Sequence, residues 1–250
     1  MTKILKLEEF INEQIVNEMG MSVRNTNIQQ RMPDLLKKYN LVYNEATGLY
    51  DCDGDIKVEQ DLVSPDGKLV INFGVVKGDF NCKDNKLTSL EGSPQEVGGD
   101  FDCSYNKLTS LAAAPQEVKG NFFCYNNKLT SLEGAPQVVG GDFNCINNFL
   151  TSLEGAPQEV SGYFNCNSNQ LTSLEGAPQK VGDYFYCSIN QLTSIKGAPQ
   201  EVGGSFCCGY NRIVFDETNF YRCLPDVIGG ELGAGSGCDY ELAKDYYNNK

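Results

Sequence analysis

Between residues 78 and 212 the apolar and polar positions follow a block of 21 residues rather than a helical or a plain strand rhythm, and the block recurs seven times. The blocks open at Gly78, Gly99, Gly120, Gly141, Gly162, Asp183 and Gly204. Two residues on stands a phenylalanine (Phe80, Phe101, Phe122, Phe143, Phe164, Phe185, Phe206), and two further a cysteine (Cys82, Cys103, Cys124, Cys145, Cys166, Cys187, Cys208). An asparagine follows three residues later in every block, from Asn85 to Asn211. The columns of Leu87, Leu90, Pro94 and Val97 recur as regularly up to Val202, with Ile195 once replacing the second leucine. Phe-x-Cys is the alternation of a short strand, so the Phe and Cys columns point into a core and their neighbours, such as Asp79, Asn81 and Lys83, point out. Glycine and proline punctuate the return path, leaving too little chain for a helix there. An extended or 3₁₀-like return is expected, with seven strands stacked over roughly 29 Å.

The spacing F-x-C-x-x-N-x-L is similar to the L-x-L-x-x-N/C-x-L core of leucine-rich repeats over about residues 54 to 215. That resemblance implies a leucine-rich repeat solenoid, with a parallel β-sheet on its concave face, extended or 3₁₀ convex loops and a small helical N-terminal segment. The asparagines would form a ladder, satisfying backbone groups that each turn leaves unpaired. Four regions are expected: a helical segment at 1-50, a capping hairpin and degenerate first repeat at 51-77, seven repeats at 78-212, and a C-terminal cap and tail at 213-250. Apolar spacing in residues 3 to 40 predicts two short helices, interrupted near Gly20 and Pro33. In the degenerate repeat, Ile56 and Val58 take the Phe and Cys places. The GAGSG stretch reads as flexible, and ELAKDYYNN as a last helical turn.

Charge then narrows the classes of partner. Lysine and arginine number 20 against 33 acidic residues, a net charge of −13, which repels nucleic acid and anionic membranes alike. The first 50 residues are neutral, six of each sign, so the acidity starts at Asp51. Glu8, Glu9, Glu13 and Glu18 interrupt the first twenty residues, which predicts no signal peptide and a cytoplasmic protein. Histidine is absent, removing the commonest general base and metal ligand together. No enzyme, no cofactor and no metal are therefore expected. Seven of the eleven cysteines fall in the inward column, where a thiol acts as a small apolar residue. Cys207 should face outward. The string DCDGD at 51–55 has Ile56 where a calcium loop needs glycine, and reads as a turn.

Comparing the blocks with one another separates scaffold from variable positions. The inward columns hardly change, and the convex APQ persists in five of six copies. The outward columns vary freely: D, D, N, D, Y, Y, S from residue 79; N, D, F, N, N, Y, C from 81; K, S, Y, I, N, S, G from 83. Tyrosine and phenylalanine on a polar surface are the side chains that anchor interfaces. The predicted partner-binding surface is Asp79, Asn81, Asp100, Asp102, Tyr105, Phe123, Tyr125, Asp142, Asn144, Ile146, Tyr163, Asn165, Tyr184, Tyr186 and Tyr210. Its acidic and aromatic halves suit a protein bearing a basic and an apolar patch. The alternative is a small-ligand or nucleotide-sequestering protein using the tyrosines, for which Lys83 is the one outward strand residue able to meet a phosphate. The wording LTSLEGAPQEVGGDF-x-C resembles leucine-rich repeat proteins of bacteriophages and some bacteria. That resemblance implies a protein made in an infected bacterium that binds and blocks a host defence protein.

Overall fold

The computed structural model describes residues 25–213 and two short strands, Val227–Ile228 and Leu232–Gly233. The helix expected in residues 3 to 20, the tail from 214 on apart from those strands, Cys223 and Cys238 lie outside the described residues. The chain divides into two compact units, 1–42 and 43–250.

In the first unit, helix α1 spans Asn25–Lys38. Met32 and Leu35 are its buried residues, three apart and so on one face. Lys37 and Lys38 sit in its last turn, where the macrodipole favours cations. Asn40, at φ 51°, ends the helix in the left-handed region that asparagine tolerates. The expected break at Pro33 does not occur, because α1 runs straight through it. A mid-helix proline removes one hydrogen bond, and burial of the face on either side of it outweighs that loss.

The second unit is a parallel β-solenoid of about eight turns with two sheets. The first, the Phe sheet, has nine strands: Ile56–Lys57, then the seven Phe-x-Cys segments from Phe80–Asn81 to Phe206–Cys207, and Leu232–Gly233. Within the seven Phe-x-Cys segments each residue pairs with the one 21 positions on, as Phe122 with Phe143 and Phe143 with Phe164. Nine strands extend about 38 Å along the stack. The return path carries a second sheet, the Val sheet, of ten strands. It runs from Leu41–Asn44, a strand that straddles the division at residue 42, and Leu49–Cys52 through Phe73–Val76 and two-residue segments such as Glu96–Val97 to Val227–Ile228. The return is thus extended and hydrogen-bonded, and among the described residues 3₁₀ helix is confined to Gln60–Leu62. Sequence alone suggested extended or 3₁₀ loops here because proline and glycine punctuate the return path, yet two residues per coil suffice for a ladder once coils stack in register.

The core lies between the sheets. All seven column phenylalanines are fully buried, and consecutive rings from Phe73 to Phe206 stand 5.1 to 5.5 Å apart. The cysteine, leucine and valine columns close the remaining space. Coils approach so tightly that a Cβ on Gly98 would lie 2.1 Å from the Lys77 carbonyl oxygen, so only glycine fits there.

The asparagine ladder closes the corner of each coil. Asn127 Nδ2 donates to the Cys103 carbonyl of the preceding coil at 3.0 Å and to its own Cys124 carbonyl at 3.1 Å. Its Oδ1 accepts the Leu108 N–H at 3.1 Å, so one amide satisfies three backbone groups. Asn106, Asn148, Asn169, Asn190 and Asn211 repeat this arrangement. At the first rung Gln60 caps the series, its Nε2 donating to Asn85 Oδ1 at 3.0 Å.

Candidate functional site

The predicted surface residues come together on the outer face of the Phe sheet, because alternate strand residues leave the core on that side. All fifteen follow the columns of 79, 81 and 83 or the position after them, and most are half-buried by neighbouring coils. Tyr105, Tyr184 and Tyr210 are exposed. Two residues of the 83 column depart from the pattern: Ser104 and Gly209 are buried.

Much of the polar part of this face holds the coils together. Asp79 Oδ1 accepts the Asp100 N–H at 2.8 Å, Asp100 Oδ1 the Asn121 N–H at 2.8 Å, Asn121 Oδ1 the Asp142 N–H at 2.7 Å, and Asp142 Oδ1 the Tyr163 N–H at 2.9 Å. This is a second side-chain ladder, begun by Asp55 accepting the Asp79 N–H. In the next column Asn81, Asp102, Asn144 and Asn165 each accept the N–H two residues on, from Lys83, Ser104, Ile146 and Asn167. These Asx turns fix the exit from the strand. The sequence alone could not distinguish such carboxylates and amides from ones kept for a partner.

The aromatics interrupt the second ladder and the column of Asx turns. Tyr163 and Tyr184 occupy places where aspartate or asparagine would accept the N–H of the next coil, and Phe123 and Tyr186 occupy Asx-turn places. A phenyl or phenol ring supplies neither acceptor in that position.

The rings form two groups. In the first, Tyr105 and Tyr125 meet edge to face at 5.3 Å, and Phe123 lies 6.2 Å from Tyr125. Lys83 folds over this group, its Nζ 5.1 Å from the Tyr105 ring centre and 5.4 Å from that of Tyr125. It donates to Tyr125 Oη at 3.0 Å and lies 4.0 Å from Asp102 Oδ2. The bond to Tyr125, then the Asp102 charge, hold the ammonium above its usual pKa despite some desolvation. Sequence reading left Lys83 as a lone outward base; the structure places it within the aromatic surface. In the second group Tyr184 and Tyr186 stack at 5.6 Å, and Tyr163 meets Tyr186 edge to face at 6.2 Å. Burial first pushes the Tyr163 and Tyr186 phenols up, helped by Asp142 at Tyr163 and by Cys207, Tyr184 and Asp183 at Tyr186, so both stay protonated at neutral pH. Asn144 Nδ2 donates to Tyr163 Oη at 3.5 Å.

One exposed group escaped the sequence reading. Residues 84, 105, 126, 147, 168, 189 and 210 all adopt φ near +55°, where Asn and Asp are at ease, yet Ile189 is among them and is 54% exposed. The signal was available: a β-branched residue in a column otherwise containing aspartate, asparagine, serine and tyrosine.

The cysteine column takes no part in this face. From Cys82 to Cys208 it is buried, whereas Cys207 is half-exposed. Cys145 and Cys166 donate their thiols to the Asn165 and Tyr186 carbonyls of the next coil, at 3.3 and 3.2 Å. Burial holds the Cys82, Cys103, Cys124, Cys145 and Cys166 thiols far above their ordinary pKa, where they are protonated and poor nucleophiles. Among the described residues no group of three His, Cys, Asp or Glu is placed to hold a metal ion, and no helix is long and apolar enough to cross a membrane.

Comparison with protein-family models and with curated proteins finds no match to this chain, so the functional reading rests on its own geometry.

Proposed function

We propose that this chain is a non-catalytic binding protein of the leucine-rich repeat kind, and that the outer face of its Phe sheet docks a protein bearing basic and apolar patches. One observation carries the reading. Phe123, Tyr163, Tyr184 and Tyr186 stand where other coils use a residue that hydrogen-bonds the backbone, so each aromatic forgoes a bond worth about 0.5–1.5 kcal/mol. A residue that costs stability and lies on an accessible face is there for contact with something else. The carboxylates of Asp79, Asp100, Asp102 and Asp142 add negative potential beside the rings, which suits a basic partner. In keeping with the resemblance of the repeats, the partner is a host bacterial protein, a component of a defence system, bound in the cytoplasm.

The test exploits the same substitution pattern. Phe123→Asn, Tyr163→Asn, Tyr184→Asn and Tyr186→Asn each restore a residue type that works in that column elsewhere. The combined variant should keep or raise its melting temperature and lose the protein that the wild type retains from bacterial lysate, read by mass spectrometry. Retention of the same protein by the folded variant would exclude this face.

A further inference from the structure

The two aromatic groups on the Phe sheet differ in one respect. The first already contains a cation, Lys83, lying over two tyrosine rings, bonded to a phenol and near the Asp102 carboxylate. The second has the same ingredients. Three phenol rings lie within 6.2 Å of a neighbour, and Asp142 is fixed beside them by the Tyr163 N–H. Among the described residues, however, the cations found over rings are Lys38 and Lys83, and neither stands over Tyr163, Tyr184 or Tyr186.

We infer that Tyr163, Tyr184 and Tyr186 form a seat for a lysine or arginine side chain of the docked protein, in the manner in which the neighbouring rings seat Lys83; this rests on the binding role proposed above. The physical basis is the negative face of the tyrosine ring, which attracts an ammonium or guanidinium most strongly where part of its water is removed. Tyr163 and Tyr186 are half-buried and Tyr184 is exposed, so the seat is partly dry and still open to an incoming side chain. Asp142 and Asp183 act electrostatically on Tyr163 and Tyr186, and a cation placed there meets two carboxylates as well as the rings. A chain of net charge −13 adds long-range attraction for it.

Three capped tripeptides serve as probes: acetyl-Gly-Arg-Gly-amide, acetyl-Gly-Lys-Gly-amide, and the citrulline analogue, which keeps the shape of arginine without its charge. Tyrosine ring resonances of the full chain, labelled with ¹³C, report binding. The arginine and lysine peptides should shift Tyr163, Tyr184 and Tyr186, with an effect that weakens as salt is raised, and citrulline should not. Tyr186→Phe keeps the ring and should change the apparent affinity by less than about twofold, whereas Tyr186→Leu should weaken it about fivefold. Equal shifts from citrulline and arginine, or cation shifts confined to Tyr105 and Tyr125, would overturn the inference. If the four-fold asparagine variant loses its lysate partner while the peptides show no charge preference, the binding role stands and the cation seat does not. If the peptides behave as expected but lysate capture is untouched by that variant, the seat is real and the docking role falls.

Discussion

Alkaline pH should unfold this protein well before its lysines titrate, because the core is lined with thiols. Cys82, Cys103, Cys124, Cys145 and Cys166 are wholly buried, and burial pushes each thiol far up. In the unfolded chain a cysteine ionises near pH 8.5. Above that pH the unfolded state sheds protons that the folded state retains, so stability is full below about pH 8.5 and falls as pH rises toward the raised folded-state values. One unit above the unfolded pKa, at about pH 9.5, each thiol costs about 1.4 kcal/mol, and five together cost about 7 kcal/mol. A folded domain has only about 5–15 kcal/mol to lose. The assay is guanidinium unfolding, followed by circular dichroism with a reductant present, at pH 7.5, 8.5 and 9.5. The unfolding free energy should drop by about half or more between the first and last, and Cys124→Ala, though less stable at pH 7.5, should show a drop about 1.4 kcal/mol smaller. The raised phenols of Tyr50, Tyr163 and Tyr186 act in the same direction but at higher pH, outside this window. Stability that stays flat to pH 9.5 would mean that the column thiols ionise within the fold, and the buried-column argument would fail.

Other outcomes follow from particular contacts. Asn127→Ala orphans the buried Leu108 N–H and removes two carbonyl partners, and should cost about 2–4 kcal/mol in denaturant unfolding. Ile189→Asn relieves a β-branched residue held at φ 56° and should raise stability by about 1 kcal/mol, measured the same way. Eight cysteines among the described residues are buried, so no more than three of the chain's eleven thiols should react quickly with Ellman's reagent in the native protein, and all eleven after denaturation. Phe143→Ala, in the middle of the ring stack, should cost about 3–5 kcal/mol and lower the melting temperature in a single transition.

The solenoid was legible because its signal repeats. Phe143 and Cys145 are identified as inward by alternation, and six other blocks repeat the same reading, so an error in one would show against the rest. Asn148 was legible as a rung for the same reason. The Val sheet was not, since a two-residue Glu-Val segment just after a Pro-Gln pair resembles a loop until coils stack and supply its hydrogen bonds. Pro33 misled because the burial that carries α1 past it is a tertiary effect with no local signature. On the outer face, variation identified the right surface but not the division of labour within it. Asp79 and Asn144 vary in type while still accepting backbone N–H groups, and only distances separate them from Tyr163 and Tyr186, which do not. Lys83 shows the same gap, because nothing in K-D-N predicts that its ammonium turns onto rings one and two coils away.

Side-chain oxidation by hydroxyl radicals, with and without the captured partner, tests the division between inside and outside most directly. In the free protein Tyr184, Tyr105 and Phe149 should be labelled, while Phe101, Phe122 and Phe143 remain unmodified. Adding the partner should protect Tyr163, Tyr184 and Tyr186 and leave Phe149, on the turn beyond the asparagine ladder, as reactive as before. Labelling of the column phenylalanines in the native chain, or tyrosines equally reactive with the partner bound, would contradict the account.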